Sequence, residues 1–153
     1  MHGDIIVYGA EDREGRAFLA VSALHHCGRW LVDRRINVRF VATSRPVTAA
    51  LELLRFHTGL EAAFDDSRPR EQPDRVFANA GLYVGVVFSR PGVLALGEAR
   101  KRGVPCLAAV QFPNEKNLSI SVIENMRCAF DPRELSRRLC SEVSRLETPG
   151  AVS

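Results

Sequence analysis

The sequence predicts a single doubly wound α/β domain, with a mostly parallel sheet of about five to six strands. Three observations carry that expectation. Short apolar runs alternate with segments at helical spacing along nearly the whole chain, as when crossover helices join parallel strands. The run from Leu82 to Phe88 is continuous rather than alternating, which suits a strand covered on both faces. Between Gly81 and Val110, strand, tight loop, helix and strand follow one another closely, a right-handed β-α-β unit. In open parallel sheets the loop after such a strand and the first turn of its helix face the ligand crevice.

Taken in order, Asp4 to Tyr8 is a short apolar strand, and Gly9 to Gly15 a polar loop with glycine at both ends. Arg16 to Cys27 carries Phe18, Leu19, Val21, Ala23 and Leu24 at helical spacing, with Gly28 as its C-cap. Ile36 to Ala42 is a second strand. Ser44 and Pro46 open a helix whose buried side is Leu51, Leu53, Leu54 and Phe56, and Gly59 ends it. Leu60 to Phe64 is a short strand, Asp65 to Pro73 an arginine-rich surface loop, and Asp74 to Asn79 a brief helix. After the strand Leu82–Phe88, the segment Ser89-Arg90-Pro91-Gly92 breaks the run. Val93 to Arg102 is then a helix with a basic last turn, and Gly103 stops it. Val104 to Val110 is the next strand, Phe112 to Asn117 a loop, and Ser119 to Ile123 an edge strand. Asp131-Pro132-Arg133-Glu134 is a capping box, with Leu135, Leu139, Val143 and Leu146 behind it. Residues 1–147 thus form one Rossmann-like domain, and 148–153 a flexible tail.

At 153 residues the chain has the length of one domain. Its 46% hydrophobic and 25% charged residues are ordinary for a soluble globular protein. No run approaches the roughly 20 apolar residues that span a bilayer. The N-terminus has no basic segment followed by an apolar core, so no secretory signal is expected. Lys101 and Lys116 are the only lysines among 21 basic residues, and the remaining 19 are arginines. Arginine suits bidentate phosphate or carboxylate contacts, so an anionic ligand is one reading and compositional bias the other. No arginine-rich run is interleaved with aromatics, which argues against nucleic acid. Cys27, Cys106, Cys128 and Cys140 show no C-x-x-C spacing or clustering, and are expected to be buried free thiols in a reducing compartment.

The residues carry a resemblance. I-I-V-Y-G with a Gly15-Arg16 helix start, Phe77 to Val84, Leu96-Gly97-Glu98-Ala99-Arg100-Lys101-Arg102-Gly103-Val104-Pro105, and Asn125 followed by Ala129 to Leu135 match in register from about Asp4 to Leu146. Together they resemble the C-terminal, nucleotide-sugar-binding half of a family 4 (group 1) glycosyltransferase of the GT-B fold. The resemblance implies a donor-binding domain for a UDP- or GDP-sugar. It implies no metal or other cofactor, a hexosyltransferase activity completed by a separate acceptor-binding domain, and a cytoplasmic place, peripheral to the inner membrane face. In that family two glutamates grip the donor. The second matches Glu98, implied to accept hydrogen bonds from ribose hydroxyls, but the position of the first is held by Arg90. The family's glycine-rich loop is reduced here to Pro91-Gly92.

The candidate site follows from both lines of reasoning. Gly92 and Val93 offer backbone amides at a helix start, a geometry suited to phosphate, or else form an ordinary β-α turn. Arg90 in the same loop, and Arg13 and Arg16 after the first strand, are candidates for the diphosphate or are solvated charges. Gly9 and Gly15 do not make G-x-G-x-x-G, so a dinucleotide fingerprint is absent. His25 and His26 point about 100° apart on a helix, and with His57 distant in sequence they are read as helix-end charges. Asp65 and Asp66 are read as solvated loop acids, and Trp30 as part of the core or a partner contact. Catalytic residues are not assigned. A non-catalytic binding or assembly module, including a homo-oligomer, is the alternative function, and an unrelated flavodoxin-like or nucleotide-binding protein the third.

Overall fold

The computed structural model of the chain describes residues 2–8, 17–42, 45–87, 90–110, 127–128 and 131–147. Its elements run β1 (Asp4–Tyr8), α1 (Ala17–Asp33), β2 (Val38–Val41), α2 (Arg45–Thr58), β3 (Ala63–Phe64), α3 (Pro73–Val76), β4 (Ala80–Val87), α4 (Arg90–Lys101), β5 (Cys106–Val110), β6 (Arg127–Cys128) and α5 (Pro132–Glu147). The loops expected at 9–15 and 112–117, the edge strand at 119–123 and the tail at 148–153 lie outside the described residues.

Six described strands form one sheet in the order β3-β2-β1-β4-β5-β6, and every pairing is parallel. Ile5 stands opposite Val38 on one side and Leu82 on the other, and Tyr83 opposite Cys106. The expected single Rossmann-like α/β domain is therefore the observed architecture. Because side chains alternate across a pleated strand, the central strands feed two cores. Ile5, Val7, Val38, Phe40, Leu82, Val84 and Leu107 point to a face covered by α1, α2 and α5. Ile6, Tyr8, Val41, Tyr83 and Ala108 point to the opposite face, under α3 and α4. Both faces of β1 are thus shut off from water, which is why its run is apolar without interruption.

Helix ends depart from the sequence expectation in one instructive place. α1 does not stop at Gly28; it continues to Asp33. A Cβ on Gly28 would stand 2.7 Å from Oγ1 of Thr58, so glycine there permits close approach of α1 and α2 and is not a cap. The true end is a Schellman closure, with Ile36 N–H on Leu31 O and Arg35 N–H on Val32 O. Arg35 itself takes the left-handed position at φ 57°. α4 closes the same way, with Val104 N–H on Ala99 O, and Gly103 supplies the left-handed residue at φ 71° as expected. At α5, Asp131 Oδ1 accepts the N–H of Arg133, the expected N-cap. Glu134, however, turns forward to pair with Arg137 and Arg138 instead of closing a capping box.

Candidate functional site

The strand order reverses direction between β1 and β4. From β1 the chain moves through α1 to β2 on one side, and from β4 through α4 to β5 on the other. The helices that follow these two strands lie on opposite faces of the sheet, α1 on one and α4 on the other. Ligands of doubly wound sheets bind at such a switch point. The loop after β1, with Arg13 and Arg16, lies outside the described residues. On the β4 side, Arg90 is the first residue of α4, and Gly92 stands buried in its first turn, followed by Val93.

Glu98 is placed differently from the expectation. α4 begins at Arg90 rather than Val93, so Glu98 is in the third turn, not the first or second. At 1.5 Å per residue that puts it about 12 Å along the axis from the helix start. Its carboxylate lies 3.7 Å from Lys101 Nζ.

Tyr83, in the middle of β4, is fully buried, and its hydroxyl has no hydrogen-bond partner among the described residues. Burial drives its pKa well up, with Tyr8 and Cys106 adding to the effect. The ring leans along β4 toward Gly85, where a Cβ would stand 3.1 Å from Cε1. The hydroxyl thus tilts toward the crevice end of the strand. Ser67 Oγ is a second buried atom without a partner among the described residues, and Ser67 O receives the N–H of Ala42, the residue after β2, at φ 53°.

The arginines divide the work differently from an anion site. Arg39 on β2 donates to the carbonyls of Val76 (2.8 Å) and Ala78 (3.2 Å) and pairs with Asp65 at 3.8 Å. Its carbonyl acceptors immediately precede β4, at the opposite end of the strands from the crevice. Arg102 at the end of α4 reaches Asp74 at 2.9 Å. These two arginines pin α3. Arg34, Arg55, Arg68 and Arg145 are each paired with a glutamate. Asp65 is consequently not a solvated acid: besides Arg39 it accepts the N–H of Ser67 at 2.8 Å.

One contact that sequence spacing gave no reason to expect appears on the α1 side. His25 of α1 meets His57 of α2 edge to face, with centroids 5.3 Å apart. Burial, then His57 and His26, lower the pKa of His25. Cys27 lies inside the core between α1 and α5, its Sγ 3.4 Å from the Ala23 carbonyl, and Cys140 packs against the edge of the same core. Trp30 packs partly into the core, with the Arg34 guanidinium 3.7 Å above its ring. Among the described residues no cluster of three or more histidine, cysteine or acidic side chains is arranged to hold a metal ion. Likewise no helix is long and apolar enough to cross a membrane.

No family model matches the chain, and no curated protein matches it. Among solved structures it is similar to TcdA (CsdL), with a TM-score of 0.50 and 14% identity over 70% of this chain. The match spans 48% of that protein's length, about half of it. At this identity the likeness is one of fold: a Rossmann-like α/β domain.

Proposed function

We propose that the domain binds a nucleoside diphosphate-sugar over the carboxyl ends of β1 and β4, as the donor half of a sugar-transferring enzyme whose acceptor is held by a separate domain. The observation that carries this reading is the switch point between β1 and β4, with the first turn of α4 at its rim. The resemblance of Leu96 to Pro105 and of Asp131 to Leu135 to family 4 glycosyltransferases adds the sugar. In this reading the amides of Gly92 and Val93, with Arg90, Arg13 and Arg16, hold the diphosphate, and Glu98 meets the ribose. Charge developing on the departing diphosphate would be neutralised by positioned cations and amide dipoles.

Calorimetric titration with UDP, GDP and their hexose conjugates tests this. Micromolar binding of one of them, weakened at least about tenfold by Arg90→Ala, is the expected result. Absence of heat with all of them at millimolar concentration overturns it. Glu98→Ala tests the ribose contact separately: unchanged affinity would take Glu98 out of the site and leave the phosphate contacts standing.

A second reading, a non-catalytic assembly module, is favoured by a specific surface. Of the four residues expected on the buried side of α2, only Leu51 and Leu54 are buried; Leu53 and Phe56, one turn apart, are 53% and 84% exposed, and Phe64 on edge strand β3 is 54% exposed. This apolar surface lies at the sheet edge, two strands away from the crevice. A concentration-dependent mass in light scattering, abolished by Phe56→Ser, would support it.

A further inference from the structure

The Tyr83 hydroxyl, without a partner among the described residues, lies at a telling level in the sheet. Residues 83 and 85 of β4 share a face, and the phenol lies down over Gly85. A Cβ there would stand 3.1 Å from Cε1 and 3.7 Å from both Cζ and the hydroxyl oxygen. Glycine at 85 leaves room for the ring to lie this way. Gly85 pairs with Ala108 of β5 on one side. On the other, one step past the Val7–Val84 pair, it is level with Tyr8, the last residue of β1. The hydroxyl oxygen therefore lies where β1 ends, at the floor of the switch point and on the α4 side.

The side chains around it are apolar. Phe77 meets the ring edge-on at 5.7 Å, and α4 contributes Ala95, Leu96 and Ala99 to the same cluster. Cys106 stands opposite Tyr83 in register, but its thiol donates to the Val104 carbonyl at 3.1 Å, toward the other end of β5. Burial keeps the phenol protonated, so it is a hydrogen-bond donor. A phenylalanine would fill the same space without leaving a buried donor unmet.

The N-terminus of α4 rises from the same end of the sheet. The helix starts at Arg90, just past the end of β4 at Val87, and its buried side packs on the face that carries Tyr83. A helix N-terminus presents the positive end of the helix dipole. A protonated donor in apolar surroundings and a helix N-terminus are matched to one kind of group, an anionic oxygen. Because Tyr83 is enclosed, what meets its hydroxyl is a single projecting oxygen rather than a sugar ring or a base.

The geometry points to Tyr83 as a ligand-binding residue, its hydroxyl donating a hydrogen bond to a non-bridging oxygen of a diphosphate seated between the end of β1 and the first turn of α4. This rests on the reading of the crevice as a nucleoside diphosphate site, and adds the group that grips the diphosphate from below. Arg90 and the first-turn amides of α4 meet it from the solvent side. The hydrogen bond exists only in the complex, so Tyr83 contributes to affinity and not to the stability of the free chain.

The chain has two tyrosines, Tyr8 and Tyr83. Tyrosine labelled with carbon-13 at Cζ therefore gives two resonances, assigned by Tyr83→Phe or, by difference, by Tyr8→Phe. Titration with inorganic pyrophosphate, and separately with UDP and GDP, is followed at this carbon and by calorimetry. The expected result is a saturable shift of the Tyr83 resonance with the same midpoint as the heat. Tyr83→Phe should bind at least about tenfold more weakly and melt no lower than the wild type. Should it melt lower, its loss of binding is structural, and the wild-type resonance decides. Saturable heat with that resonance unmoved, or with Tyr83→Phe binding unchanged, would overturn this inference alone and leave the crevice reading standing. No heat and no shift with any of the three at millimolar concentration would overturn both.

Discussion

The two faces of the sheet are built from different material. On the α1, α2 and α5 face the core is made of large aliphatic side chains, among them Leu24, Leu31, Leu54, Leu135 and Leu139. On the α3 and α4 face the helix contributes Ala95, Leu96 and Ala99, and the sheet contributes Tyr83 and Ala108. Small residues let α4 lie close to the strands, and the largest fully buried side chain there is a tyrosine whose hydroxyl has no partner among the described residues. Bulk aliphatic burial is what stabilises a fold. A buried polar atom without a partner costs free energy and occurs where some other demand is met. The comparison assigns bulk stability to the first face and the unpartnered polar group to the second.

The largest expected effect breaks the first face. Leu24, 1% exposed, is enclosed on α1, so Leu24→Ala should lower the unfolding free energy by about 2–5 kcal/mol in urea titration. Gly28→Ala sharpens the account of the same interface. The added Cβ would meet Thr58 Oγ1, which is tied to Leu54 O at 2.8 Å and cannot simply swing away. A loss of about 1–3 kcal/mol is expected despite alanine's better helix propensity. Thr58→Ala should recover part of it in the double variant.

Tyr83→Phe on the second face should do the opposite. With no hydrogen bond to lose, it should leave stability unchanged or raise it by about 1 kcal/mol. A loss of more than that would show that the hydroxyl has a partner.

The smallest effect concerns His25. Its folded pKa lies below the ordinary 6.5, so the unfolded chain takes up the proton more readily. Stability attributable to it is full above pH 6.5 and declines as pH falls below that value. His57→Gln removes one of the two like charges facing His25 and should flatten that decline in thermal melts between pH 7.5 and 5.5.

How much of this could be read from the sequence follows from the range of the interactions involved. Uninterrupted apolar runs such as Leu82 to Val87 marked the central strands, because burial on both faces leaves a local signature. Gly103 and Asp131 marked helix ends for the same reason: caps act within one turn. Gly28 misled because a glycine packed against another helix and a glycine that stops its own helix look alike in one dimension. The His25–His57 contact joins residues of different helices, and only the sheet order brings those helices together. Arg39, between Val38 and Phe40, alternates to the α3 face as its position requires, but its carbonyl partners could not be named from spacing. For the proposed crevice, the resemblance and the general rule for switch points both direct attention to the first turn of α4. They part at Glu98, because the helix begins three residues earlier than its apolar spacing suggested.

The most direct test of the crevice assignment is amide chemical-shift mapping of the isotopically labelled chain, titrated with UDP and GDP. The account expects saturable shifts confined to the ends of β1 and β4 and the first turn of α4, around Gly92, with the amides of Cys27, Cys140 and Phe64 unmoved. Saturable shifts centred on α2 and β3 instead, or none at millimolar nucleotide, would contradict it.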